Sequence, residues 1–66
     1  MTIDEIKKNL PPVYVKIFNT TVQATISGRQ LKYPIVHTNF MGNNLSWEFS
    51  WQAIEHAINT DTALIV

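Results

Sequence analysis

From Val13 the chain alternates strictly, with Val13, Val15 and Ile17 on one side and Tyr14, Lys16 and Phe18 on the other. A period of two marks a half-buried strand. The alternation resumes after Asn19-Thr20, with Val22, Ala24 and Ile26 in one phase and Thr21, Gln23, Thr25 and Ser27 in the other. A two-residue loop at Asn19-Thr20 predicts a hairpin in which Ile17 faces Val22, Val15 faces Ala24 and Val13 faces Ile26, so loop length and apolar phase agree. Ser27-Gly28-Arg29 predicts a bend or bulge, because glycine adopts backbone geometry that other residues avoid. A third strand is expected over about 31–38, with Leu31, Tyr33, Ile35 and His37 sharing a phase. Pro34 lacks the donor for a sheet ladder, which places this strand at an edge or interrupts it. Gly42-Asn43-Asn44 signals a turn, and Leu45, Trp47 and Phe49 then alternate with Ser46, Glu48 and Ser50 in a fourth strand over 45–50.

Helical spacing brackets this β-rich stretch. Thr2-Ile3-Asp4-Glu5 has the form of a capping box, Ile3, Ile6 and Leu10 make one apolar stripe, and Pro11-Pro12 stops the helix, which predicts a helix over 2–9. Ser50 is placed to cap a second helix with Trp51, Ile54, Ala57 and Ile58 on one side, ending near Asn59 or Asp61. Ala63 to Val66 forms a last short apolar strand. The expected fold is therefore a single domain over 1–66, mainly β within the α+β class. It is either a small five-stranded SH3-like barrel or a curled antiparallel sheet, with a short N-terminal helix and a helical turn before the last strand. The SH3-like comparison is one of architecture, and architecture alone does not assign a function.

Composition narrows the classes. A chain of 66 residues buries only about 60% of the surface its unfolded form exposes, so the core is thin. Without cysteine there is no disulfide staple, and stability must come from packing or from a second copy of the chain. The opening residues lack the pattern of a secretory signal and no apolar run approaches membrane-spanning length, so a cytoplasmic protein without membrane partners is expected. The net charge of zero conceals a split. Residues 1–32 carry Lys7, Lys8, Lys16, Arg29 and Lys32 against Asp4 and Glu5, a balance of +3, while residues 33–66 carry only Glu48, Glu55 and Asp61, a balance of −3. Such a division gives the folded surface a polarity for partners to sense.

The residue types that chemistry needs are sparse. There is no thiol, no serine in a nucleophile-elbow context, no glycine-rich phosphate cradle and no paired-carboxylate arrangement, so no enzyme activity and no cofactor is expected. His37 and His56 sit in unrelated elements, His37 in a phase that predicts partial burial and His56 on an exposed helix flank, and they fall short of a metal site in number and spacing. Trp47, Phe49 and Trp51 hold the largest aromatic area and are expected to serve the core rather than a groove.

The outward phase of the first hairpin holds the more informative set. If its valines and isoleucines face inward, Tyr14 and Phe18 lie on a face that should be wet. Three explanations follow in order for Phe18: a cover formed by Ile3, Ile6 and Leu10 of the N-terminal helix, a protein interface that includes a second copy of the chain, and base stacking in nucleic acid. The candidate partner-binding residues are Tyr14, Lys16, Gln23, Arg29 and Lys32, lying in a stretch from 13 to 32 without a single acid. They point to a small interaction module that docks its 14–32 surface on a protein partner, with the cations supplying charge complementarity. The alternative is a nucleic-acid-binding accessory protein using the same residues, although five cations and a pI of about 6.7 are modest for that role. The apolar end, Ala63 to Val66, either closes the barrel or pairs with another subunit, and the thin core favours a homo-oligomer.

Overall fold

A computed structural model describes residues 1–66. Thr2 caps helix α1 (Ile3–Asn9): its side chain accepts from the Glu5 backbone, and the Glu5 carboxylate accepts from the Thr2 backbone at 3.0 Å and from its hydroxyl at 3.1 Å. These hydrogen bonds stabilise the charged carboxylate and hold its pKa below the ordinary 4.5. Leu10 ends the helix in the left-handed region, ahead of Pro11-Pro12. Four strands follow, β1 (Val13–Ile17), β2 (Thr20–Ser27), β3 (Ile35–Phe40) and β4 (Asn43–Glu48), then helix α2 (Trp51–Thr60), capped by Ser50, and a two-residue strand β5 (Leu64–Ile65).

The strands form one sheet in the order β4-β3-β2-β1-β5. The first four are antiparallel in sequence, and β5 joins β1 in parallel, with Val15 beside Leu64 and Lys16 beside Ile65. The result is a mixed sheet that curls into a half-barrel without closing, with β4 and β5 as its edges. The apolar end of the chain thus pairs within its own sheet.

The first hairpin differs in register from the sequence expectation. Val13 pairs with Ala24, Val15 with Val22 and Ile17 with Thr20, so the loop is Phe18-Asn19. Both loop residues have positive φ, 48° and 65°, as a type I′ turn demands. The β-branched Thr20 resists that geometry more than Phe18 does, and the loop sits one residue earlier. A one-residue move of the loop shifts every pair by two positions, which leaves the two faces of the sheet unchanged.

The third strand starts later than the sequence suggests. Residues 29–33 form turns and bends, and the ladder begins at Ile35, after Pro34. Pro34 is buried and its carbonyl accepts from the Phe49 N–H at 3.2 Å, so the ring stands outside a strand that is itself central. Leu31 and Tyr33 are consequently exposed, and His37 is exposed too, bound to the Thr25 hydroxyl instead of being partly buried.

The core lies between one face of the sheet and the two helices. Val13, Val15, Ile17, Ala24, Ile26, Val36 and Leu64 meet Ile6 of α1 and Trp51, Ile54 and Ala57 of α2. Trp51 is 5% exposed, while Leu45, Trp47 and Phe49 pack half-buried around this centre. Helix α1 therefore covers the face opposite Tyr14 and Lys16. Its stripe does not cap Phe18, which removes the first of the three explanations for that residue.

Candidate interaction surface

Strand directions alternate from β1 to β4, so the two hairpin loops, Phe18-Asn19 and Met41-Gly42, emerge at the same end of the sheet. Parallel pairing brings Ile65 and Val66 to that end as well. Phe18 is 90% exposed, Met41 85% and Ile65 80%. Met41 also has a positive φ, 53°, ahead of Gly42 at 80°. Turn positions of this kind favour Asn, Asp and Gly, and a large side chain there costs about 1–2 kcal/mol of backbone strain. The protein thus holds two large apolar side chains in unfavourable backbone geometry, both in water and both at one pole. Across 16–22, 38–44 and 65–66 the only charged side chain is that of Lys16.

Below this pole, the outer face of the sheet has no helix over it. Tyr14 stands directly opposite Gln23, and Lys16 opposite Thr21, so three of the sequence-derived candidates form one patch. Tyr14 is 46% exposed. Arg29 and Lys32 do not join them. They lie in the connection from β2 to β3, at the far end of an eight-residue strand that spans roughly 25 Å.

The ladder between β2 and β3 covers only Thr25–Ser27 against Ile35–His37. Beyond it the two hairpins part, and the Thr38 hydroxyl bridges them by donating to the Gln23 carbonyl at 2.6 Å. The opening leaves a groove of about 470 Å³ whose walls include Gln23, Thr25, His37, Asn39, Asn44 and Ser46. Every one of these side chains can form hydrogen bonds and none is a permanent charge. Two pairs are already engaged: the Asn39 amide donates to the Asn44 side-chain oxygen at 3.1 Å, and Thr25 meets the His37 ring at 3.2 Å. A surface of this kind offers neutral polar contacts along its length and apolar anchors at one end. The Thr25–His37 contact sets a hydroxyl beside an imidazole, with no carboxylate bonded to that ring, and no group of three potential metal ligands occurs in the structure.

The Gly42-Asn43-Asn44 signal marks a turn between Phe40 and Asn44 but does not single out Met41 as its exposed tip. The missed clue is a parallel between the two hairpins: each has a large apolar residue followed by Asn or Gly between two alternating runs. No protein-family model, no curated protein and no solved structure matches this chain.

Proposed function

We propose that this chain is a small interaction module that docks a protein partner on its outer sheet face, anchored by Phe18 and Met41 at the hairpin pole. The observation that carries this reading is the pair of exposed apolar side chains held at positive φ at the same end of the sheet. Aromatic and methionine side chains are the ones protein interfaces enrich in their centres. Tyr14 and Gln23 supply directional contacts, and Lys16 adds a positive charge to an end that has no acidic side chain, so the fitting partner presents an apolar recess with a carboxylate at its rim.

The test places a photo-crosslinking phenylalanine analogue at position 18 in the intact chain and compares partner retention by the wild type with that of a Phe18→Asn/Met41→Asn variant. A protein crosslinked from position 18, retained by the wild type and lost from the variant, supports the reading. A partner retained equally by both refutes it. Recruitment to anionic phospholipid vesicles with the same dependence on Phe18 and Met41 also refutes it, by assigning the pole to a lipid surface.

A further inference from the structure

At the opposite end of the sheet, α1, the 28–34 connection and the first turn of α2 enclose a second cleft, of about 550 Å³. Lys7 and Lys32 reach it from separate segments, and no carboxylate is among its walls. The two ammonium groups meet rings: Lys7 Nζ lies 5.3 Å from the centre of the Trp51 ring, and Lys32 Nζ 5.7 Å from that of Tyr33. Each stem is thus laid along an aromatic surface, which restricts where its charge can go. The Trp51 indole N–H donates to the Leu31 carbonyl at 2.9 Å and ties the connection to α2. The walls that hold the lysines are therefore assembled before any ligand arrives, which lowers the ordering cost of binding.

Lys7 and Lys32 are the two cations among the walls of this cleft. Of the two acids on α1, Glu5 is tied into the Thr2 cap, and neither it nor Asp4 lines the cleft. Two lysines without a carboxylate between them call for an anion. A phosphate monoester carries nearly two negative charges near neutral pH and matches two ammonium groups better than a carboxylate does. The cleft is also larger than a phosphate needs. Its remaining walls offer the half-exposed Tyr33 ring and the primary amides of Gln30 and Gln52, which both donate and accept. A flat ring with polar edges fits those groups, by stacking on Tyr33 and bonding to the amides.

We infer that this cleft binds a nucleoside phosphate, with the phosphate between Lys7 and Lys32 and the base against Tyr33. The inference is independent of the docking reading, because the two surfaces lie at opposite ends of the sheet and share no residue. A free mononucleotide and the phosphorylated end of a nucleic acid present the same chemistry.

Calorimetric titration of the full chain with adenosine monophosphate, adenosine, inorganic phosphate and a 5′-phosphorylated oligonucleotide tests it. The nucleotide is expected to bind at least tenfold more tightly than adenosine or phosphate alone. Lys7→Gln/Lys32→Gln is expected to weaken it at least tenfold, and Phe18→Asn to leave it unchanged, with circular dichroism confirming that the variants fold. Tighter binding of the oligonucleotide with the same lysine dependence also supports the site and identifies its source as a nucleic-acid end. Tyr33→Ala removes both the stacking face and the ring over which Lys32 Nζ lies, so it is expected to weaken the nucleotide as well, and nucleotide binding that it leaves unchanged overturns the placement of the base. Absence of nucleotide binding at about 1 mM overturns the proposal, as does binding that the lysine variant retains or that heparin matches.

Discussion

Replacing Phe18 by Asn is expected to stabilise this protein while abolishing its docking. Phe18 occupies the first loop position of a type I′ turn at φ 48°, where an L residue other than Gly, Asn or Asp is disfavoured by about 1–2 kcal/mol. The side chain offers little in return, because it is 90% exposed. Of a phenylalanine area of about 200 Å², only on the order of 20 Å² is buried, which is worth about 0.5 kcal/mol at ~25 cal/mol per Å². Relief of strain therefore outweighs lost burial, and a net gain of about 0.5–1.5 kcal/mol follows. For a domain of this size that raises Tm by about 4–8 °C per kcal/mol. Met41→Asn creates an Asn-Gly turn at the second tip, and because the two loops share no partner, the double variant should gain the sum of the two effects. Thermal unfolding by circular dichroism and urea titration of the three variants give the energies, and crosslinked partner retention gives the docking. A fall in Tm for either single variant refutes the reasoning, since it would mean that the side chain packs in the folded protein. Gain of stability together with undiminished retention would leave the turn analysis intact and remove these tips from the interface.

Further perturbations probe other parts of the fold. Ile54→Ala, at a fully buried position in α2, should cost about 2–5 kcal/mol in urea unfolding, close to the whole stability of so small a domain, and a loss below about 1 kcal/mol would show that the core does not centre there. Gly28→Ala should destabilise by about 1 kcal/mol or more, because Gly28 has φ +79° and a Cβ would stand 2.6 Å from Leu31 Cδ1; an unchanged Tm would disprove the left-handed turn. Trp51→Phe removes the donor to the Leu31 carbonyl and should lower stability by about 1 kcal/mol while speeding amide exchange at 29–33, an effect confined to that connection. Glu5 is held by Thr2 below its ordinary pKa of 4.5, so its contribution is complete above that value and is lost as the pH falls through the lowered folded value. Helicity of α1 should fade over that acid range in the wild type and show no such titration in Glu5→Gln.

Where local rules and packing agreed, the sequence was legible. The Thr2 capping box, the Pro11-Pro12 stop, the Ser50 cap and the inward phase of Val13, Val15 and Ile17 each follow from spacing, and the structure has all of them. The α+β class, five strands and two helices follow too. The register of the first hairpin did not, because a Phe18-Asn19 loop and an Asn19-Thr20 loop bury the same faces, and only the resistance of a β-branched residue to positive φ separates them. The start of β3 was obscured by Tyr33, whose alternation with Ile35 continues across a proline that the ladder cannot cross. The parallel pairing of β5 was hidden because two residues carry no directional signal of their own.

The candidate site was legible only in part for a related reason. Tyr14, Lys16 and Gln23 alternate within one hairpin, so their common face is a local property that a period of two discloses. Arg29 and Lys32 belong to a connection whose neighbours are set by tertiary packing, and Lys32 shares its cleft with Lys7, 25 positions earlier in the chain. A charge division along a sequence turns into a feature of the surface only through such packing. Here the fold brings Lys7 and Lys32 to one cleft and leaves Lys16 beside the apolar pole, so the cations of the first half are divided between the two ends. A single partner reading all five cations would need to span the whole length of β2, whereas two surfaces, one apolar and one cationic, match the two ends separately. That is why the Phe18→Asn and Lys7→Gln/Lys32→Gln variants should each abolish one binding activity and leave the other in place.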